Sequence, residues 1–329
     1  MGSVQLSGTI VKEYLERFPK VPSLTLARKI YLENKEVFST IETVRTVIRT
    51  YRGKCGKHAR DKMTEKKFYD QKPAPPTLPK SEKENKETYI FPTQCNKILI
   101  ISDIHAPYHD PEALELALNY GVDHGANTVL INGDLIDFYQ LSRFEKDPRK
   151  RGAKFEIDCV KQILKYIRYK YPKAIIIWYK GNHCHRWDKY MLAKAPELLD
   201  IEEFSMYSIF GLAELQIILI DNNRGTKAGK LNIRHGHEFY GSGGVFPARS
   251  YFLKAKDNIL VSHVHRTSEY TEPNINKKIN GGWSIGCLSD LDPDYNPNNS
   301  YNLGFAFVET DKSGDFTVHN KKIINGEVK

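Results

Sequence analysis

Short apolar runs alternate with amphipathic stretches from Lys97 onward. Strand-length apolar runs bounded by turn residues are typical of buried strands, whereas apolar positions at a spacing of three to four predict helices. The helical stretches lie at about 111–120, 155–171 and 188–199. The predicted strands are KILIIS (97–102), TVLIN (128–132), AIIIWYK (174–180), LQIILID (215–221), LNIRHG (231–236) and NILVSH (258–263). This alternation predicts an α/β (α+β layered) domain over residues 96–329.

Residues 1–69 have helical periodicity only and predict a small three-helix domain. The first helix is expected at about 6–18, and the second near Pro22, because proline is a helix start signal. The third is expected to open with an S-x-x-E capping box formed by Ser39 and Glu42. The proline-rich and charged stretch at 70–95 predicts a linker.

Three arginines, Arg45, Arg49 and Arg52, recur at i, i+4 and i+7 along the third predicted helix and are expected to share one face. Three short helices with arginines on the last resemble a helix-turn-helix unit, whose last helix enters the major groove of DNA. A charged outer face is also common on helical bundles. Nucleic-acid binding and protein docking or a purely structural role are therefore both retained.

Charge is distributed unevenly along the chain. The net charge is +9; residues 1–90 have 19 Lys and Arg against 11 Asp and Glu, and the remaining residues have 30 against 29. A basic segment is the electrostatic signature of contact with a polyanion such as DNA or RNA, although a solvated appendage gives the same count.

The composition disfavours several other classes of protein. No apolar run approaches the roughly 18 residues of a membrane span, and the amino-terminal sequence lacks a signal-peptide core, so no membrane partner is expected. The five cysteines are scattered without a C-x-x-C pair, which argues against a disulfide framework or a thiolate zinc site. They favour the reducing cytoplasm, which would be the host cytoplasm for a phage-encoded protein. The oligomeric state is not specified.

Polar residues with metal-ligand chemistry follow five of the predicted strands. Ligands of layered α/β proteins bind beyond the carboxyl ends of the strands, so these residues are expected to meet. Within the pairs Asp103/His105 and His263/His265, an extended backbone would direct both side chains to one spot. Carboxylate, imidazole and amide groups without thiolate suit borderline-hard divalent metals. The five strand-end segments are Asp103-Ile104-His105, Gly133-Asp134-Leu135-Ile136-Asp137, Gly181-Asn182-His183, His235-Gly236-His237 and His263-Val264-His265.

The ordered motifs D-x-H, G-D-x-x-D, G-N-H, H-G and H-x-H closely resemble those of the calcineurin-like metallophosphoesterases. The later segments GGWSIGCL and YNLGFAFV look like the phage and bacterial branch of that family. The resemblance covers about residues 97–329. It implies two packed mixed β-sheets flanked by helices, an αββα sandwich, following the small amino-terminal domain.

The resemblance also implies a role for each motif residue. One metal would be held by Asp103, His105 and His265, and the other by Asn182, His235 and His263. Asp134 would bridge the two metals. His183 matches the family's proton-donating histidine, and Asp137 matches the carboxylate that orients it.

A two-metal centre of this kind implies hydrolysis of phosphoric esters by attack of a metal-activated hydroxide. Manganese is the first choice of metal, with iron, zinc, nickel or magnesium as alternatives. Arg186 is a candidate substrate contact, because an arginine fork matches phosphate oxygens. His237 shares a predicted face with His235 and is either the metal ligand in its place or a substrate contact; His235 is favoured because it precedes Gly236. Cys184 departs from the acidic residue that usually follows G-N-H.

Three functions follow from these observations. The first is a phosphodiesterase acting on nucleic acid, which is a nuclease activity, because the metal motifs follow a basic helical segment. The second is a small-molecule phosphatase or cyclic-nucleotide phosphodiesterase with a partner-docking amino-terminal domain. The third is a non-catalytic nucleic-acid-binding or virion-associated protein with a residual metal site, which Cys184 alone favours.

Overall fold

A computed structural model describes residues 2–70, 76–82, 87–143, 145–147, 149, 152–221, 225–241, 243–293 and 296–329. The chain divides into two compact units, Met1–Lys83 and Glu84–Lys329. The helices are α1 (Gly2–Arg17), α2 (Ser23–Glu33), α3 (Ile41–Tyr51), α4 (Lys57–Lys62), α5 (Pro111–Asp123), α6 (Ala153–Lys170), α7 (His185–Lys194), α8 (Met206–Ile209) and α9 (Pro247–Ala255). The strands are β1 (Tyr89–Ile90), β2 (Lys97–Ile101), β3 (Thr128–Asn132), β4 (Ile175–Tyr179), β5 (Ile217–Ile220), β6 (Thr226–Ala228), β7 (Leu231–Ile233), β8 (Ile259–Val261), β9 (Ser268–Pro273), β10 (Ile279–Ser284), β11 (Gly304–Thr310), β12 (Phe316–Ile324) and β13 (Glu327–Val328).

The amino-terminal unit has its own apolar core between α1, α2 and α3, which includes Val11, Ile30 and Ile48. The start of α3 differs from the predicted capping box. Thr40 caps the helix, since its Oγ1 accepts a hydrogen bond from the Thr43 amide at 3.2 Å. The predicted capping box of Ser39 and Glu42 was therefore wrong, and Glu42 pairs with Arg45 instead. The short helix α4 was not predicted.

The first sheet of the larger unit has the strand order β13-β12-β11-β2-β3-β4-β5, with β2 to β5 parallel and the other neighbours antiparallel. Alternate residues of its strands enter different cores. Leu99 and Ile101 pack in a cluster with Leu164 of α6, whereas Ile98 and Ile100 pack in the cluster shared with the second sheet. The strands are apolar on both faces because both faces are covered.

The second sheet has the order β1-β6-β7-β8-β10-β9 and is also mixed. Its inner face contributes Leu231, Ile233 and Leu260 to the core between the sheets. Its outer face is covered by α9, where Tyr251 packs with Ile259. Helices, two mixed sheets and a further helix are therefore layered in that order, which confirms the predicted fold class.

The predicted linker ends earlier than residue 95. Tyr89 and Ile90 form β1, which pairs in parallel with β6, and Phe91 and Cys95 are buried between the sheets. The second unit therefore begins before the predicted boundary at residue 96. Positions 71–75 and 83–86 of the linker lie outside the described residues.

Candidate metal centre

Five loops, each following a strand, meet at one edge of the two sheets. Strands β2, β3 and β4 run parallel in the first sheet, and β7 and β8 run parallel in the second. The carboxyl ends of parallel neighbours lie on the same side of a sheet, so their loops converge. The structure brings together six predicted ligands in two adjacent clusters: Asp103, His105 and His265 in one, and Asp134, His235 and His263 in the other.

The first cluster is buried and closely spaced. Its three candidate ligand atoms lie within 4.8 Å of one another. His265 Nε2 is 3.1 Å from Asp103 Oδ1 and 3.3 Å from His105 Nε2. Two imidazole nitrogens and a carboxylate oxygen at these distances are stable together only if a proton or a metal ion lies among them.

The second cluster adjoins the first. His235 Nε2 lies 3.0 Å from Asp134 Oδ2 and 3.9 Å from Asp103 Oδ1. Burial lowers the pKa of His263 to about 4, which keeps this ring neutral, as a metal ligand must be. Nearby, Asn182 Oδ1 is buried without a hydrogen-bond partner. An orphaned buried acceptor is costly and fits an oxygen that is meant for a cation.

The electrostatics of the clusters favour a cation. Burial alone would lower the pKa of His105, but hydrogen bonds to two carboxylates raise it to about 10. Burial also opposes a charge on His265, yet the charge of Asp103 raises its pKa to about 10. Burial disfavours the charged form of Asp134, but His235 holds the pKa of that carboxyl well below its usual range. Protons therefore bind tightly where divalent ions could replace them, so the residues fit a two-metal site.

The prediction that an extended backbone brings the side chains of each pair together was wrong. Asp103, His105, Asp134, His263 and His265 have positive φ values of 52°, 48°, 36°, 64° and 55°. An extended strand was expected to direct the side chains of each pair to one spot, but the strands end before these residues and the loops turn through left-handed conformations. Such φ values cost about 1–3 kcal/mol at non-glycine residues and cluster at functional sites.

Two glycines allow the loops to approach this closely. Gly133 has φ +95°, and a Cβ there would lie 2.1 Å from His235 Nδ1. A Cβ on Gly181 would lie 2.2 Å from Asp134 Oδ1. The glycines of the G-D and G-N-H motifs therefore make room for two of the candidate ligands.

His183 and Asp137 lie beside the first cluster. His183 Nδ1 is 2.9 Å from Asp137 Oδ1, and the same carboxylate oxygen is 3.2 Å from His105 Nδ1. Arg186 donates to the Asp137 carbonyl oxygen at 2.7 Å, and its Nη2 is 3.2 Å from His183 Nε2. The guanidinium is thus directed at the histidine in this structure, rather than into solvent.

His235 and His237 differ clearly in their surroundings. His235 has its Nε2 against Asp134, whereas His237 belongs to neither cluster and has its Nδ1 3.7 Å from Glu238 Oε2. The ring centroid of His237 lies 6.3 Å from that of His263, and burial lowers its pKa to about 4. It lies at the edge of the metal centre.

Ser262, which the sequence analysis did not single out, supports the candidate ligand His235. Its Oγ is buried, accepts a hydrogen bond from Asn132 Nδ2 at 3.1 Å and lies 3.0 Å from His235 Nδ1. The Asn132 carbonyl oxygen is 2.8 Å from the same ring nitrogen. Partners at Nδ1 fix the ring and leave Nε2 facing Asp134. The sequence signal for this role was a serine directly after a buried strand.

Cys184 is also fully buried. Burial raises the pKa of its thiol to about 12, so the side chain is a neutral packing group. Cys184 packs in the core between the first sheet and the helices that cover it. This location accounts for an apolar side chain at a position where the calcineurin-like metallophosphoesterases usually have an acidic residue.

A further acidic cluster, formed by His185, Asp188 and Asp221, already contains a cation. The buried Lys180 ammonium lies 2.8 Å from Asp188 Oδ2 and 2.7 Å from Asp221 Oδ2. This lysine neutralises the carboxylates and connects β4 to the residues that follow β5 and to α7.

The three arginines of the amino-terminal unit do not share one face. Arg49 is exposed, and the Arg45 guanidinium pairs with Glu42 at 3.2 Å. Arg52 follows the end of α3 and is buried, donating to Ser23 Oγ and to a backbone carbonyl oxygen, each at 3.0 Å. Arg52 therefore stabilises the unit and is not available to a polyanion, contrary to the sequence prediction.

Within the described residues, no helix is both long and apolar enough to cross a membrane.

Comparisons with known proteins connect this site to one family. The family model described as calcineurin-like phosphoesterase matches residues 96–287. Gene 54 protein of Mycobacterium phage L5 is 24% identical over 182 residues, which cover 52% of this chain and 69% of that protein.

Two solved structures are similar at low identity. Vacuolar Protein Sorting 29 from Cryptosporidium parvum is 12% identical and has a TM-score of 0.37, covering 71% of this chain and 94% of its own. Yfce, a phosphoesterase from E. coli, is 15% identical with a TM-score of 0.32, covering 68% of this chain and 98% of its own. Similarity at this level carries no argument about activity.

Proposed function

The chain belongs to the calcineurin-like phosphoesterase family, and from that premise we propose that it hydrolyses phosphodiester bonds in nucleic acid with two divalent metal ions. Membership makes it a metal-dependent phosphoesterase. The observation that carries the proposal is the meeting of six candidate ligands from four strand ends in two adjoining buried clusters.

In the proposed centre, Asp103, His105 and His265 would hold one ion. Asn182, His235 and His263 would hold the other, and Asp134 would be available to both. The grouping of the side chains in two clusters, which adjoin where His235 Nε2 is 3.9 Å from Asp103 Oδ1, and the orphaned Asn182 oxygen support this division. Nitrogen and oxygen ligands without thiolate favour manganese, with iron, zinc, nickel or magnesium as alternatives.

When bound, the two ions would activate a water molecule and neutralise charge on the phosphoryl oxygens. A residue of the chain itself would protonate the leaving group. With Nδ1 of His183 donating to Asp137, the ring can pass a proton to the departing oxygen only from Nε2, which must first take up a proton once Arg186 no longer donates to it. Arg186 occupies that side of the ring, and a substrate phosphate would draw the guanidinium away, because its fork matches phosphate oxygens.

His237 stands at the edge of the centre, where a neutral ring can accept or donate a hydrogen bond to the substrate. His237 belongs to neither cluster, which supports a substrate contact rather than a metal ligand.

Nucleic acid is the proposed substrate because the basic excess of the chain lies beside the catalytic domain in sequence. Residues 1–90 contain 19 Lys and Arg against 11 Asp and Glu. Arg45 and Arg49 lie on α3 one helical turn apart, and a phosphate backbone is the common polyanion that such a helix binds. The helix-turn-helix-like role of this unit is part of the proposal.

An assay of the purified full chain with Mn²⁺ tests the proposal. Labelled single- and double-stranded DNA and RNA are compared with bis-p-nitrophenyl phosphate. Cleavage of a nucleic acid and of the small diester is expected. Turnover of the small diester alone would overturn the substrate and favour the small-molecule phosphodiesterase, and turnover of neither would overturn the enzyme.

A further inference from the structure

Three large apolar side chains project into solvent from one short stretch after β7. Tyr240 is 98% exposed, Val245 is 78% exposed and Phe246 is 69% exposed. Single exposed apolar residues are ordinary, but a local group of them marks a surface that binds something. We call these three residues the aromatic rim.

The aromatic rim lies beside the candidate metal centre. Tyr240 follows His237 by three residues, so their Cα atoms are at most about 11 Å apart. A Cβ on Gly243 would lie 3.1 Å from Cγ1 of Val264, the residue between the candidate ligands His263 and His265. The segment that carries the rim therefore approaches the H-x-H loop at Gly243.

The segment that surrounds the rim is also basic. Residues 239–267 contain four basic residues and one acidic residue, although residues 91–329 as a whole are balanced at 30 against 29. Arg266 donates a hydrogen bond to the Gly244 carbonyl oxygen, and Arg249 is exposed on α9. Aromatic faces and cations are thus combined within reach of a site for phosphodiester chemistry.

We propose that the aromatic rim stacks on unpaired bases of a single-stranded nucleic acid whose adjacent phosphodiester enters the metal centre. Single-strand binding sites combine aromatic side chains, on which bases stack, with cations that follow the backbone. In a duplex the base faces are covered by their neighbours, so these side chains have no face to stack on. The inference rests on the proposed nuclease activity.

The test uses the full chain with Mn²⁺ and three substrates: a single-stranded DNA oligonucleotide, a blunt duplex of the same sequence, and bis-p-nitrophenyl phosphate. The variants are Tyr240→Ala, Phe246→Ala and the double substitution. The matched control is Tyr169→Ala, because Tyr169 is 80% exposed on α6 and lies outside the rim. Tyr240→Trp and Phe246→Tyr test rescue by another aromatic ring.

The double variant is expected to lose roughly tenfold or more in kcat/KM on the single strand, mainly through KM, because each stacked base contributes measurably to binding. The diester has no bases and should change less than threefold. Tyr169→Ala should alter neither, and the aromatic replacements should retain single-strand cleavage.

Unchanged single-strand cleavage by the double variant would overturn the inference while leaving the nuclease in place. Equal losses on single strand and duplex would also overturn it. A wild-type chain that hydrolyses the diester but neither nucleic acid would instead refute the proposed substrate, so the two failures are distinguishable.

Discussion

Ser262 shows how one hydroxyl group can orient a metal ligand. It contacts His235 on the side of the ring that faces away from Asp134, in a buried position between the ends of β3 and β8. Residues that fix a liganding imidazole from behind contribute to metal affinity without touching the metal.

The substitution Ser262→Ala is expected to weaken metal binding by about tenfold, at the low end of such effects, because the Asn132 carbonyl oxygen still contacts His235 Nδ1. Calorimetric titration of the metal-free chain with Mn²⁺ measures this. Ser313→Ala is the control, since Ser313 is exposed in a distant turn. Equal Mn²⁺ affinities of the wild type, Ser262→Ala and Ser313→Ala would show that the Ser262 hydroxyl does not contribute to metal binding.

The substitution His183→Gln should lower kcat by about 10²- to 10⁴-fold while both metals stay bound, because a proton donor is lost and no proposed ligand is. Turnover of an alkyl phosphodiester, whose alkoxide leaving group needs a proton, and metal content are measured on the same preparation. His124→Gln is a suitable comparison, because His124 is exposed and stacks on Tyr120. Loss of metal from His183→Gln would reassign His183 as a ligand.

The sequence predicted which side chains the structure brings together, but it did not predict their backbone geometry. Asp103 and His105 could be found because they follow an apolar strand, but their left-handed backbone is imposed by contacts between loops that are distant in sequence. Arg52 was misjudged for a similar reason: helical spacing specifies a face only while the helix continues, and α3 ends at Tyr51.

At the scale of elements, Lys180 holds the loop after β4 in place. Its ammonium is 4% exposed and joins Asp188 at the start of α7 to Asp221 after β5. The loop between β4 and α7 contains Asn182 and His183, so the ion pairs of Lys180 help to fix the positions of these two residues.

We expect Lys180→Met to destabilise the chain by about 2 kcal/mol, less than the ~3–5 kcal/mol of a fully buried pair, because the two aspartates retain solvent contact. Chemical denaturation of the metal-free protein measures the free energy of unfolding. Lys173→Met is the matched control, since Lys173 is exposed nearby in sequence. A loss equal to that of the control would show that the ion pairs of Lys180 contribute no stability.

Strands β2, β3 and β4 of the first sheet were predictable because both of their faces are buried, which produces continuous apolar runs such as TVLIN, whereas the equally buried β11 was not predicted. The strands β9 and β12 were missed because they alternate or are largely polar, and β6 because it is three residues long. Strand β1 was hidden in a segment whose composition indicated a linker, since its pairing with β6 is determined by tertiary structure.

At the scale of the whole molecule, charge separates the two parts of the chain. The basic excess belongs to residues 1–90, whereas residues 91–329 are nearly neutral. This division suits a chain in which one part binds a polyanion and the other hydrolyses it.

The double substitution Arg45→Glu/Arg49→Glu in the full chain should weaken binding of labelled duplex DNA and reduce the salt dependence of binding. Fluorescence anisotropy across a salt series measures both, and hydrolysis of bis-p-nitrophenyl phosphate should not change. Lys173→Glu/Lys189→Glu is the charge-matched control in the catalytic unit. Identical binding by the two double variants would favour protein docking by the amino-terminal unit.

The most direct test of the central claim is the number of metal ions bound per chain, measured by elemental analysis of wild type and Asp134→Asn after equilibration with Mn²⁺. Asp134 is 1% exposed and lies against His235, so its charge is proposed to hold both ions. The wild type should bind two ions, and Asp134→Asn at most one, with a native circular dichroism spectrum and no measurable turnover. Two ions and full turnover in Asp134→Asn, or fewer than two in the active wild type, would contradict the account.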